Sequence, residues 1–217
     1  KTPFMFNVDF SKYALVDLSM PIVPNQLNEG RPFEVKEGRL GDGTLKYDIV
    51  NTHTHVGTHI ESPVHFYFKG NTCTDYTLDR FMGRAALVTT NIPESAESVT
   101  LEHVRPQLEA KRGQFEILYV RNDTPRRPLF IDLDCVRYFA EFNLKLFIFE
   151  HTINFGDTSL EAGRIFHDLL LSRDTLLVEF PSNGAALTKP DFFVFAVPLN
   201  IRGIDWSGCR LFAVVEE

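Results

Sequence analysis

The thirteen residues from His53 to His65, H-T-H-V-G-T-H-I-E-S-P-V-H, constrain this chain more than any other stretch. Four of its seven histidines fall there, together with Glu61 in an otherwise uncharged run. An even spread over 217 residues would place fewer than one histidine in such a window. Imidazole and carboxylate are the preferred ligands of zinc, manganese and iron(II), so the clustering points to a metal site.

The spacing supports the same reading. Tyr47 to Thr52 is β-prone and leads into the cluster, and alternate residues of a strand share a face, which would turn His53 and His55 the same way. Gly57 permits a turn that a bulkier residue would resist. His59 and Glu61, again two apart, would project together from the next extended piece, and Pro63 stiffens the approach to His65. The bland alternative is a histidine-rich surface loop, but a solvated loop has no need of glycine, proline and glutamate placed so regularly.

The remaining chemistry-bearing residues are scattered. The net charge of −7 argues against a nucleic-acid partner, which would favour a basic face. Three cysteines, Cys73, Cys135 and Cys209, are too few and too far apart for a disulfide framework or a cysteine-based zinc site. No apolar run approaches a membrane span, and no signal peptide is visible, so a cytoplasmic location is expected; the chain begins at Lys1 rather than Met, which leaves a removed presequence open. Most of the twenty phenylalanines are expected in the core, with some free to line a pocket. Arg126-Arg127 and Lys111-Arg112 read as exposed loop charge, and Asp42-Gly43 as a turn.

Residues 1–12 read as a loosely tied arm. Strands are expected at 14–19, 84–90, 115–120, 144–149, 176–180 and 210–215, and helices at 100–110, 133–142 and 160–172, the last opening on a capping box at Thr158. This β-α-β-α-β alternation favours an α/β fold with part of the sheet parallel, in one domain spanning 1–217. His167 lies on the last helix and Glu179 on the strand after it. Taken alone, His167 reads as a half-buried, satisfied histidine and Glu179 as a solvent-side residue, or else one needing a cation. His103 reads as solvated.

His55-x-Gly57-Thr58-His59-x-Glu61-x-Pro63-x-His65 resembles the H-x-G-T-H-x-D-x-P-x-H signature of the cyclase family, which includes bacterial kynurenine formamidases and isatin hydrolases. Glu61 stands where the family usually carries aspartate. Val16-Asp17-Leu18-Ser19, running on to Pro24, is similar to the family's opening V-D-L-[ST]-x-x-[IL]-x-P, and Pro198 to Asp205 resembles its closing P-L-x-[LI]-x-G-x-D. His167 in Phe166-His167-Asp168-Leu169-Leu170 and Glu179 in Leu177-Val178-Glu179 are twelve residues apart, as in the family's H-x-x-L-L and V-E phrases.

The resemblance implies a single-domain mixed sheet with flanking helices, of the swivelling β/β/α type, assembled as a homo-oligomer (dimer or tetramer). It also implies His55, His59, Glu61, His167 and Glu179 as metal ligands and His65 as proton donor and acceptor. The ion would be zinc or manganese, with one tightly bound ion expected, since Glu61 is longer than aspartate, and two as the alternative. The implied function is hydrolysis of an amide, lactam or related small carbonyl compound. A metal-assisted lyase or cyclase, or a silent metal- or ligand-binding homologue, is the alternative. Formamidases hold their aromatic substrate with a tryptophan near the start; here Leu27 is nearest that position. His151 is a candidate for supporting the ligands, with Glu150 before it at a position where the family often carries an acidic residue; His53 is a candidate ligand or supporting residue, or else a strand residue on the sheet surface.

Overall fold

The computed structural model describes residues 9–93, 95–124 and 128–217; most of the expected N-terminal arm and the Arg126-Arg127 pair lie outside them. In chain order the elements are β1 (Tyr13–Asp17), β2 (Gln26–Asn28), β3 (Arg31–Arg39), β4 (Leu45–Thr52), β5 (His59–Glu61), β6 (Met82–Thr89) and α1 (Leu101–Glu109). They continue with β7 (Ile117–Arg121), β8 (Leu129–Ile131), α2 (Leu133–Phe139), β9 (Leu146–Phe149), β10 (Ile153–Phe155), α3 (Leu160–Leu171), β11 (Leu176–Glu179), β12 (Asp191–Pro198) and β13 (Trp206–Glu216).

The main sheet runs β1-β13-β12-β6-β7-β9-β11-β5, and β5 pairs back onto β13, so the sheet closes into a barrel-like ring. β6, β7, β9 and β11 are mutually parallel, as the alternation of strands and helices demands. The others join antiparallel. The fold is therefore mixed α/β.

The parallel strands are apolar at nearly every position because both of their faces are covered. Ile117, Tyr119, Leu146, Ile148, Leu176 and Val178 point into the ring and meet Ile60, Val194 and Leu211. The alternate residues Leu118, Val120, Phe147 and Leu177 point outward against the helices, through Val104, Leu108, Val136, Phe166 and Leu170. Much of the phenylalanine excess sits in this outer layer, where the Phe155 and Phe166 rings stack at 4.1 Å.

Several expectations shift by small amounts. α3 is capped by Ser159, whose hydroxyl accepts from the Ala162 N–H at 3.1 Å, and not by Thr158. His103 is half-buried and caps its own helix, its Nδ1 accepting from the Thr100 N–H at 3.1 Å, so it is not simply solvated. Lys111 reaches Asp191 at 3.0 Å and the Pro190 carbonyl at 3.1 Å, so it too is bound and not loose surface charge. β2, β3 and β4 form a separate three-stranded sheet, with the Asp42-Gly43 turn at its far end. β4 is exposed along its whole length. No described helix is long and apolar enough to cross a membrane.

Candidate metal centre

The three-residue strand β5 is the seam of the ring, pairing with β11 on one edge and β13 on the other. Ile60 fills the ring interior. By alternation His59 and Glu61 face the opposite way, towards the helix layer, and His59 lies directly across from Glu179. α3 supplies His167 from that layer. Ahead of the seam, Gly57 takes φ +65°, and a Cβ there would lie 2.6 Å from the Ile22 side chain, so the turn needs glycine. Past it, Ser62 holds the Asp205 carbonyl through both its N–H (3.0 Å) and its hydroxyl (2.9 Å). A short 3-10 turn, Pro63–His65, then presents His65.

Glu61 is the hub and is nearly inaccessible, 2% exposed. Its Oε1 lies 2.7 Å from His55 Nδ1, 3.7 Å from His59 Nε2 and 3.9 Å from His65 Nε2. Its Oε2 lies 3.4 Å from His167 Nε2. Glu179 approaches His59 Nε2 at 3.7 Å and His167 Nε2 at 4.0 Å. All six residues singled out from the sequence thus lie around one point.

The hydrogen bonds fix which nitrogens face that point. His59 Nδ1 sits 2.8 Å from the Gly57 carbonyl and His167 Nδ1 2.6 Å from the Gly163 carbonyl. A carbonyl only accepts, so each Nδ1 carries the proton and each Nε2 presents a lone pair to the cluster. A main-chain carbonyl holding the far nitrogen is how metal-ligating histidines are usually oriented. His59 Nε2 and Glu61 Oε2 are buried with no hydrogen-bond partner, and such atoms are costly unless something else satisfies them.

The carboxylates tell the same story. Burial pushes the Glu61 carboxyl up, but the imidazoles of His167, His55 and His59 gathered around it outweigh that and hold the group well below its ordinary range. Glu179 is pushed up, first by burial and then by the charge of Glu61. Burial lowers the pKa of His55 and His167, yet the neighbouring Glu61 carboxylate outweighs it and leaves both raised. Two buried carboxylates pointing at unprotonated imidazole nitrogens fit a divalent cation, which satisfies all of them at once. The donor sets His55–His59–Glu61 and Glu61–His65–His167 each bring three ligand atoms within 4.8 Å of one another.

One participant carries no role in the sequence reading. Asp205 Oδ2 accepts from His65 Nδ1 at 2.7 Å and lies 3.5 Å from His55 Nε2. Burial raises its carboxyl, and the His65 bond with the charges of His55 and His65 brings it below the ordinary value. It is the last residue of the closing Pro198-to-Asp205 phrase, which was the only signal available.

His53 is not in the cluster. β4 ends at Thr52, so the alternation that would have turned His53 and His55 the same way stops short; His53 is exposed, and its Nδ1 lies 3.3 Å from the His55 N–H. His151 is also exposed and lies beside Phe180, whose ring contacts His151 at 6.0 Å and His59 at 5.7 Å. Glu150 accepts from the Asn122 N–H at 3.0 Å. Leu27 is 68% exposed, whereas the single tryptophan, Trp206, packs 6.0 Å from His59.

The Cyclase family model matches residues 16–152, well over half of the chain. The chain belongs to the cyclase family. Solved structures share the fold at low identity. Isatin hydrolase A from Labrenzia aggregata, bound to benzyl benzoate, is 18% identical with a TM-score of 0.77, covering 95% of each chain. Isatin hydrolase A from Ralstonia solanacearum is 18% identical with a TM-score of 0.75, covering 95% of this chain and 93% of that one. A potential metal-dependent hydrolase with cyclase activity is 19% identical with a TM-score of 0.70, covering 94% of this chain and 99% of that one.

Proposed function

We propose that this cyclase-family chain is a metal-dependent hydrolase of amides, lactams or related small carbonyl compounds. The observation that carries the proposal is the pair of orphaned buried atoms, His59 Nε2 and Glu61 Oε2, facing one another's neighbours across a cluster already oriented by main-chain carbonyls. His55, His59, Glu61, His167 and Glu179 would hold zinc or manganese. Such an ion, when bound, acidifies water and polarises a carbonyl oxygen.

The chain's own residues supply the proton traffic. Asp205 fixes the His65 ring through Nδ1, leaving Nε2 turned to the cluster. In the reaction the water oxygen bonds to the carbonyl carbon, the C–N bond breaks, and the products are an amine and a carboxylic acid, which loses its remaining proton to solvent. His65 takes the proton from the water at Nε2 and gives it to the departing nitrogen. Phe66, stacked on His167 at 5.0 Å, and Phe180 wall the site with apolar surface.

We also propose a homo-oligomer. β4 exposes Tyr47, Ile49 and Val50 at 59%, 62% and 57%, an unusual apolar load for a strand outside the core. Light scattering of the purified chain reads its mass directly.

The test of the enzymatic reading pairs elemental analysis of protein purified without added metal or chelator with turnover of formanilide and of a cyclic imide. A chain that takes up neither zinc nor manganese, or that binds metal and hydrolyses neither probe, overturns it.

A further inference from the structure

We propose that Arg31 receives an anionic group of the substrate at the rim of the site, so that this hydrolase selects small amides or lactams that also carry a carboxylate. The inference rests on the hydrolase reading above and concerns its substrate class.

Arg31 opens β3, just after a two-residue turn in which Glu29 and Gly30 both take positive φ, +47° and +78°. That is the tight hairpin geometry that matches strand twist. The turn is braced from inside by Asn28, 8% exposed, which accepts from the Val23 N–H at 2.7 Å and donates to the Val23 and Gln26 carbonyls. The next residue, Pro32, accepts from the His53 N–H at 3.1 Å, which ties this hairpin to the entrance of the histidine-rich segment. Arg31 is thus held on a rigid turn beside the cluster.

Its guanidinium lies 4.9 Å over the Phe180 ring. Phe180 is the residue after Glu179, and its own ring stacks on His59 at 5.7 Å. The cation is therefore one aromatic ring from a candidate ligand. Phe180 takes φ +54°, an uncommon conformation for a bulky side chain. The Thr58 hydroxyl, from the residue before His59, holds it there by donating to the Phe180 carbonyl at 2.6 Å. Backbone strain of this kind persists where the surroundings over-determine it, often at functional sites. Here it sets the ring that carries Arg31.

Arg31 makes no ion pair among the described residues, and its one polar bond is from Nη1 to the Glu29 carbonyl at 3.3 Å. The rest of its fork of donors is unspent. A planar guanidinium on an aromatic face presents that fork to a carboxylate in a bidentate way that an ammonium does not match. With Glu61 and Glu179 turned towards the histidines, Arg31 is a cation without an ion-pair partner among the described residues, one aromatic ring from His59.

The test uses benzoate and its neutral isostere benzamide, titrated calorimetrically into the zinc-loaded protein, the Arg31→Gln variant and the Arg31→Lys variant, with zinc content measured on each. Benzoate binding is expected to weaken at least tenfold in Arg31→Gln and to recover only partly in Arg31→Lys, while benzamide binding stays within about twofold throughout. Equal weakening of both probes would mean that Arg31 only packs against Phe180. A benzoate affinity changed by less than twofold in Arg31→Gln, or no binding of benzoate to the unmutated protein, would also overturn the proposal. Turnover of formanilide is read separately, so a failure of the hydrolase reading is not confused with a failure of this one.

Discussion

Replacing Asp205 with asparagine should slow turnover by roughly 5–30-fold and leave the metal content unchanged. The geometry sets the figure. Asp205 Oδ2 accepts from His65 Nδ1 at 2.7 Å, and the aspartate side chain is only partly open, 31% exposed. A hydrogen bond to a charged acceptor contributes about 1.5–3 kcal/mol, against about 0.5–1.5 for a neutral one. Asparagine keeps an acceptor oxygen and loses the charge, so about 1–2 kcal/mol of orientation and imidazolium stabilisation is lost, at about 1.4 kcal/mol per tenfold in rate. Removing the imidazole itself, in His65→Ala, sets the ceiling at about 10²–10⁴. The assay is kcat and kcat/KM on a formanilide, with metal per chain measured on the same samples. If Asp205→Asn loses metal in step with activity, Asp205 is an ion ligand alongside His55 and His65, a grouping whose atoms lie close enough for it. If the rate changes less than twofold, the His65–Asp205 pair does not assist the reaction.

His59→Ala and Glu179→Ala should each weaken metal retention by more than the roughly 10–100-fold typical of residues that only support ligands, read by dialysis against graded chelator; retention equal to the unmutated chain would remove that residue from the ligand set. Glu61→Asp should keep activity within about tenfold, and the unmutated chain should hold one tightly bound ion. Because Glu61 Oε1 faces His55 and His59 while Oε2 faces His167, two tightly bound equivalents would refute the single-ion expectation and leave the hydrolase reading standing. Glu150→Gln should raise stability near neutral pH. Burial, with Asp123 nearby, lifts the Glu150 carboxyl above its ordinary value, so the folded state binds its proton more tightly than the unfolded one. Stability therefore falls as pH rises from the ordinary carboxyl range through the raised folded value, and the uncharged variant lacks that slope. Melting curves at about pH 4 and about pH 7.5 read it; identical slopes in the two proteins would show that Glu150 is not penalised.

The parallel half of the sheet was legible because each of β7, β9 and β11 carries an apolar run with both faces covered, and each of α1, α2 and α3 has helical spacing. In the antiparallel half, β1 and β13 were expected at 14–19 and 210–215, but β12 and the strand pairings were not. β12 alternates buried and exposed positions, D-F-F-V-F-A-V-P, but its outward positions are also apolar, Phe193 and Val197, so the sequence shows no polar period. β5 is three residues long, too short to carry any period. The ring closure depends on that strand finding β13 some 145 positions later, a pairing that hydrophobic pattern does not encode.

The convergence of the candidate residues was legible for a reason that the seam explains. His59 and Glu61 are 0% and 2% exposed on a strand held by main-chain bonds along both edges. A buried histidine and carboxylate in so short an element are unfavourable by themselves, and local propensity gives no account of them. A cation drawing the two together with His167 and Glu179 would make the seam a sensible place for them, and the histidine clustering pointed to such a site before any strand pairing was known. Asp205 escaped for the complementary reason. An aspartate next to a strand start is an ordinary loop residue in sequence, and its meaning comes from Ser62, whose two bonds to the Asp205 carbonyl fasten the approach to β13 against the turn that presents His65. The candidate ligands are marked by what burial would cost without an ion; Asp205, which holds His65, is marked only by the closure of the ring.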